Sequence, residues 1–150
     1  MKFKFTSLLF LISAVAFSGC MKDSAKVDLN SGFVAPAGNF AGNFQLIHSN
    51  SKTGKLDTAN ANVVISLTSS YTFTVGGDTT KIQYPSYGTF TVDNINNLLT
   101  FTDQTVTKTT NLNAAKKHLN GPFLFTYDNT NLKIYGSSDT LNYTYTLVKN

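Results

Sequence analysis

Phe123-Leu124-Phe125-Thr126-Tyr127, then Asp128-Asn129-Thr130-Asn131, then Leu132-Lys133-Ile134-Tyr135 reads as strand, turn, strand. Large apolar side chains take every second position on both sides of a cluster of turn-forming residues. That is the period of a half-buried strand and the punctuation of a hairpin. Leu141-Asn142-Tyr143-Thr144-Tyr145-Thr146-Leu147 extends the meander by a third strand. Phe123, Phe125, Tyr127, Leu132, Ile134, Leu141, Tyr143, Tyr145 and Leu147 are therefore predicted to share one interior, with threonine filling outward positions as a β-branched polar residue can.

The same pattern recurs towards the N-terminus. Gly38-Asn39-Phe40-Ala41-Gly42-Asn43-Phe44-Gln45-Leu46-Ile47 puts Phe40, Gly42, Phe44 and Leu46 on one face, where the glycine permits close backbone approach or a bend. Val63-Val64-Ile65-Ser66-Leu67 and Tyr71-Thr72-Phe73-Thr74-Val75 give two more strands, the second ending at the turn Gly76-Gly77-Asp78. Tyr87-Gly88-Thr89-Phe90-Thr91-Val92 and Leu98-Leu99-Thr100-Phe101-Thr102 pair as a hairpin around Asp93-Asn94. Residues 48–62 are polar and carry Asn50, Gly54 and Asn60, so a long loop or irregular hairpin is expected there. Residues 82–84 read as a short strand before Pro85, and 105–110 as a weak edge strand. Residues 113–119 alone have helical propensity, enough for one short helical turn. The expected fold class is all-β: a single antiparallel up-and-down barrel of about eight strands, because closure removes exposed sheet edges.

Composition bounds the function. A chain of 150 residues has room for one modest core. Its charges are Lys and Asp throughout, with neither Arg nor Glu, and the formal net charge is +4. No clustered basic face is present to grip phosphates; Lys116-Lys117 is the one basic doublet beyond residue 20, so no nucleic-acid partner is expected. Cys20 is the single cysteine, which excludes an internal disulfide, thiol catalysis and a Cys-ligated zinc.

That cysteine follows Lys2, Lys4 and the apolar run Leu8-Leu9-Phe10-Leu11-Ile12-Ser13-Ala14-Val15-Ala16, too short to anchor as a membrane span and typical of a secretory signal. Ala16-Phe17-Ser18-Gly19-Cys20 resembles a bacterial lipobox, with Phe17 where leucine is usual. The resemblance implies a signal peptide over 1–19, cleavage before Cys20 and lipidation of Cys20, with the chain held on its membrane by several acyl groups. Residues 20–37 read as a flexible tether and 38–150 as the barrel. Lys22-Asp23 resembles a weak form of the signal that exports lipoproteins to the outer face of the outer membrane in Bacteroidota. Either face, periplasmic or surface-exposed, stays open.

The first strand, Gly38 through Phe44, resembles the Gly-x-aromatic start of a lipocalin barrel, and Gly121-Pro122-Phe123-Leu124-Phe125 with the two strands after it resembles the closing strands. On these residues the chain is similar to small lipocalin-like, calycin-type β-barrel lipoproteins of Bacteroidota. The resemblance implies a barrel fold and a tendency to bind something apolar. No Trp follows the first glycine, and no Arg covers a closed end.

Candidate chemistry is sparse. His48 and His118 are the two imidazoles, and no close-spaced ligands accompany them, so no metal site and no cofactor are expected. No Gly-x-Ser-x-Gly elbow and no spaced carboxylate pair is present, so no enzyme is expected. Only a histidine buried beside an aspartate in a cleft would reopen that question. Tyr71, Tyr127, Tyr143 and Tyr145 fill the barrel or line an open mouth and bind a ligand through ring and hydroxyl. Ser24, Thr58, Thr79 and Thr140 each follow an aspartate and resemble O-glycosylation acceptors of Bacteroidota, in tether or turns. The expected function is a membrane-anchored lipoprotein of the cell envelope whose barrel binds a small apolar or amphiphilic ligand. The alternative is a structural or protein-interaction module, an accessory subunit or hydrolase inhibitor, favoured by a side-chain-filled barrel beside an exposed apolar patch.

Overall fold

A computed structural model of the chain describes residues 32–105 and 116–150. Eight strands follow one another: β1 (Gly38–Ser49), β2 (Leu56–Leu67), β3 (Thr72–Gly77), β4 (Ser86–Asp93), β5 (Leu98–Asp103), β6 (Gly121–Tyr127), β7 (Asn131–Ser137) and β8 (Leu141–Lys149). Each pairs antiparallel with the next, and β8 pairs antiparallel with β1, closing the sheet into an up-and-down barrel. The period-2 pattern of the sequence therefore becomes inside and outside of one wall.

Strand direction sorts the connections onto two ends. Turns 68–71, 94–97 and 128–130 lie at one end, here the turn end, with the start of β1 and the end of β8. The connections 50–55, 78–85 and 138–140 lie at the other, the loop end, with residues 104–105 and 116–120.

Aromatic rings fill the space between. Phe101 sits edge-on to Phe73 (centroids 5.1 Å) and Phe123 (5.7 Å), and Phe123 continues to Tyr143 (5.6 Å) and Tyr145 (6.4 Å). Tyr145 stacks on Phe44 at 4.4 Å. An eight-stranded barrel has an interior about wide enough for its own side chains, and offset or edge-on rings suit the charge distribution of the ring.

Three expectations change. Residues 56–62 belong to β2, which pairs with β1 from Gly38↔Leu67 to Ser49↔Leu56. Their inward positions are held by small Ala59 and Ala61 between exposed Asp57, Thr58, Asn60 and Asn62, so the alternation has little amplitude in the sequence. Residues 82–84 form no strand: Gln83 makes an isolated parallel bridge with Lys117. Of the stretch expected to turn helically, residues 116–119 hold a bend and that bridge, because Lys117 spends its backbone groups on Ile82 and Tyr84. Residues 113–115, and 106–110 of the expected edge strand, lie outside the described residues, as do Cys20, Lys22, Asp23 and Ser24. No helix among the described residues is long and apolar enough to cross a membrane.

Candidate binding site at the loop end

Polar side chains enter the lumen at one end. Among the described residues the buried polar side chains are Gln83 and Ser86, and the Asp103 side chain is also wholly out of solvent. Ser86 shares the inward face of β4 with Gly88 and Phe90, and Asp103 shares that of β5 with Leu99 and Phe101. Gly88 pairs with Asp103, so Ser86 stands one inward position beyond that pair on the loop side. Gln83 arrives from the connection 78–85.

A cap built from two connections closes this end. Lys117 N–H donates to the Ile82 carbonyl (2.7 Å) and Tyr84 N–H to the Lys117 carbonyl (3.0 Å), joining segments far apart in the chain. Gln83 and Leu119 project from it and are fully buried. The Tyr145 hydroxyl donates to Gln83 Oε1 at 2.8 Å, and Gln83 Nε2 donates to the Tyr84 carbonyl at 2.9 Å. Lys116 Nζ donates to the Thr79 carbonyl (2.8 Å), and Lys117 Nζ lies 4.1 Å from the Tyr143 ring centre, a cation–π arrangement.

His118 fastens the cap to β5. Its Nδ1 lies 2.6 Å from Asp103 Oδ2, and its ring stacks on Tyr84 at 4.4 Å. Thr105 donates to the other carboxylate oxygen through its backbone N–H (2.8 Å) and its hydroxyl (2.5 Å). The imidazole is 12% exposed. This is a largely buried histidine beside an aspartate, with one ring face stacked on Tyr84. His48 is exposed on β1, in register with Asp57. Among the described residues no three His, Cys, Asp or Glu side chains gather as metal ligands would.

Burial dominates the chemistry of Tyr145, whose hydroxyl is pushed well above the usual tyrosine range, with neighbouring Tyr143 adding to the shift. The group stays a neutral donor. Ser86 Oγ, in contrast, has no hydrogen-bond partner although the residue is 3% exposed.

The four candidate tyrosines do not share one mouth. Tyr145 and Tyr143 belong to the loop-end half of the lumen, where Tyr143 lies over Gly136. Tyr71 stands in the 68–71 turn at the other end, half exposed with φ +61°, its ring edge-on to Phe90. Tyr127 also belongs to the turn end, against Phe40, with its hydroxyl donating to the Asn129 carbonyl at 3.2 Å. Of the serine and threonine candidates, Thr58 is exposed within β2 rather than in a turn; Thr79 and Thr140 are half-buried in connections at the loop end. Gln83, Ser86 and Asp103 escaped the sequence reading. Each is a single polar residue whose neighbourhood exists only after the sheet has closed.

The outer wall carries shallow grooves. One of about 430 Å³ runs over Leu98, Pro122, Leu124, Tyr135 and Thr144, with Leu124 45% exposed. Smaller ones lie beside Tyr127 and Lys133 and beside Val64 and Gly77. Comparison with protein-family models, curated proteins and solved structures finds no match for the chain. The closed eight-stranded barrel is itself a fold compatible with binding a ligand.

Proposed function

We propose that this chain is a lipoprotein anchored to the outer membrane through Cys20 and that its barrel is a non-enzymatic binding module for a small apolar or amphiphilic ligand. The ligand enters at the loop end. One observation carries this reading: among the described residues, the buried polar side chains Gln83, Ser86 and Asp103 gather at the loop end, beneath a cap made by connections rather than by the wall. A few polar groups converging within an apolar lining are usual in a small-molecule site, and in the capped state side chains fill this lumen. In the capped state Gln83 and Leu119 occupy the mouth, so the ligand takes the space they vacate.

Native mass spectrometry of the detergent-extracted protein from its own cells tests this. A reproducible non-covalent small molecule is expected, and the covalent mass should carry the acyl groups on Cys20. A barrel empty across preparations overturns the carrier reading and leaves a protein-interaction module. The groove over Leu98, Pro122, Leu124 and Tyr135 favours that second reading, since it exposes apolar side chains on an intact wall. Crosslinking in cells would then identify the partner.

A further inference from the structure

Two polar side chains of the loop end bear on what the lumen can hold. Ser86 Oγ is buried, inward-facing and without a partner, although a hydroxyl held from water ordinarily finds one. Gln83 fills the same end with a carboxamide whose carbonyl oxygen receives the Tyr145 hydroxyl at 2.8 Å. Burial of a side-chain amide is costly unless it is hydrogen-bonded, and here its bonds run to a wall residue and to its own connection.

We infer that the loop end of the lumen is an occluded site for an amphiphile with an uncharged carbonyl head, an amide or ester, and that Gln83 holds its place until the ligand arrives. The inference rests on the carrier reading and specifies the ligand class. With Gln83 withdrawn, Tyr145 presents a neutral hydroxyl donor and Ser86 a second hydroxyl, while Phe44, Phe123 and Tyr143 offer an apolar lining for the chain. A carboxylate head is disfavoured. Asp103 already places a carboxylate at this end, and its His118 partner is committed to it. Lys117 lies over the Tyr143 ring and Lys116 on the Thr79 carbonyl, so neither cation is directed at the Tyr145 hydroxyl. Among the described residues no cation is placed inside the lumen to offset the hydration that an ionised head would lose there. The cap also sets the affinity: when the competent state is a fraction of the population, apparent binding weakens by that fraction, and removing the plug restores it.

The test uses the full chain, with octanamide and octanoate as probes, read by thermal shift and calorimetry. Octanamide is expected to bind at least about tenfold more tightly than octanoate. Ser86→Ala should weaken octanamide about three- to tenfold without lowering the melting temperature, since Oγ makes no bond in the capped state. Gln83→Ala should tighten octanamide several-fold. Equal binding of the two probes overturns the carbonyl-head inference while leaving the carrier reading in place. Binding of neither probe, even to Gln83→Ala, overturns both. A crystal structure with an ordered water on Ser86, in protein that binds neither probe, assigns that hydroxyl to solvent and likewise overturns the inference.

Discussion

Gly42 occupies an inward position of β1 where a Cβ would stand 2.1 Å from the Thr146 carbonyl oxygen and 2.9 Å from Leu147 Cα. The atoms it would strike are backbone, which cannot rotate away as a side-chain end can. Gly42→Ala must push β8 off β1, the seam that closes the barrel, and a loss of about 3 kcal/mol or more is expected in urea unfolding. Tyr145 permits a prediction of pH dependence. Its hydroxyl is held above the ordinary tyrosine value of 10.0 by burial, so the folded chain keeps a proton that the unfolded chain releases above that pH. Stability attached to this group is full below pH 10 and falls as the pH rises through and beyond it. Tyr145→Phe should therefore flatten the alkaline limb of the stability profile, measured by denaturant unfolding between pH 9 and 11. At this scale the sequence was a partial guide. Gly42 announced a close approach by standing among inward aromatics, whereas nothing local distinguished Ser86 from the outward serines and threonines.

Two hairpin turns share one construction. Asp93 accepts the backbone N–H groups of Ile95 (3.0 Å) and Asn96 (3.1 Å) and the Asn96 side-chain amide (2.6 Å). Asp128 accepts those of Thr130 (3.0 Å) and Asn131 (2.6 Å) and the Asn131 amide (2.8 Å). Asn97 and Asn129 supply the positive φ that each turn needs, a conformation asparagine tolerates better than most side chains. The asparagine amides, followed by the backbone donors, hold both carboxyls below the ordinary aspartate value of 3.8. The folded chain binds these protons less readily than the unfolded chain, so the stability they contribute is complete above about pH 4 and is lost as the pH falls below it. Asp128→Ala should lower the melting temperature at pH 7 and give a shallower decline between pH 4 and pH 2, readable by calorimetry. These turns were legible because Asp and Asn act on their own neighbours. The N-terminal half of β2 was not, since its pairing with β1 is a backbone property and its inward alanines barely mark the alternation.

For the molecule as a whole, the proposed function assigns separate work to its two parts: a lipid on Cys20 would hold the domain at a membrane, and the barrel would bind. Cys20→Ser is expected to abolish incorporation of labelled fatty acid and to prevent cleavage of the signal, seen as a larger chain on denaturing gels. The stability of the barrel should stay within about 0.5 kcal/mol of the parent, as for a change far from the core. The all-β class, most of the strands, the closed meander and an interior of Phe, Tyr and Leu could be read from the order of residues alone. Alternation is a local property of the chain, and each strand declares its own buried face. Which polar residues enter the lumen became visible only in the folded barrel. Residues 82–84 and 116–119 meet over the loop end through Gln83 and Lys117, and β4 and β5 bring Ser86 and Asp103 beneath them. That assembly depends on barrel closure and register between segments distant in sequence, so no single stretch of the chain carries it.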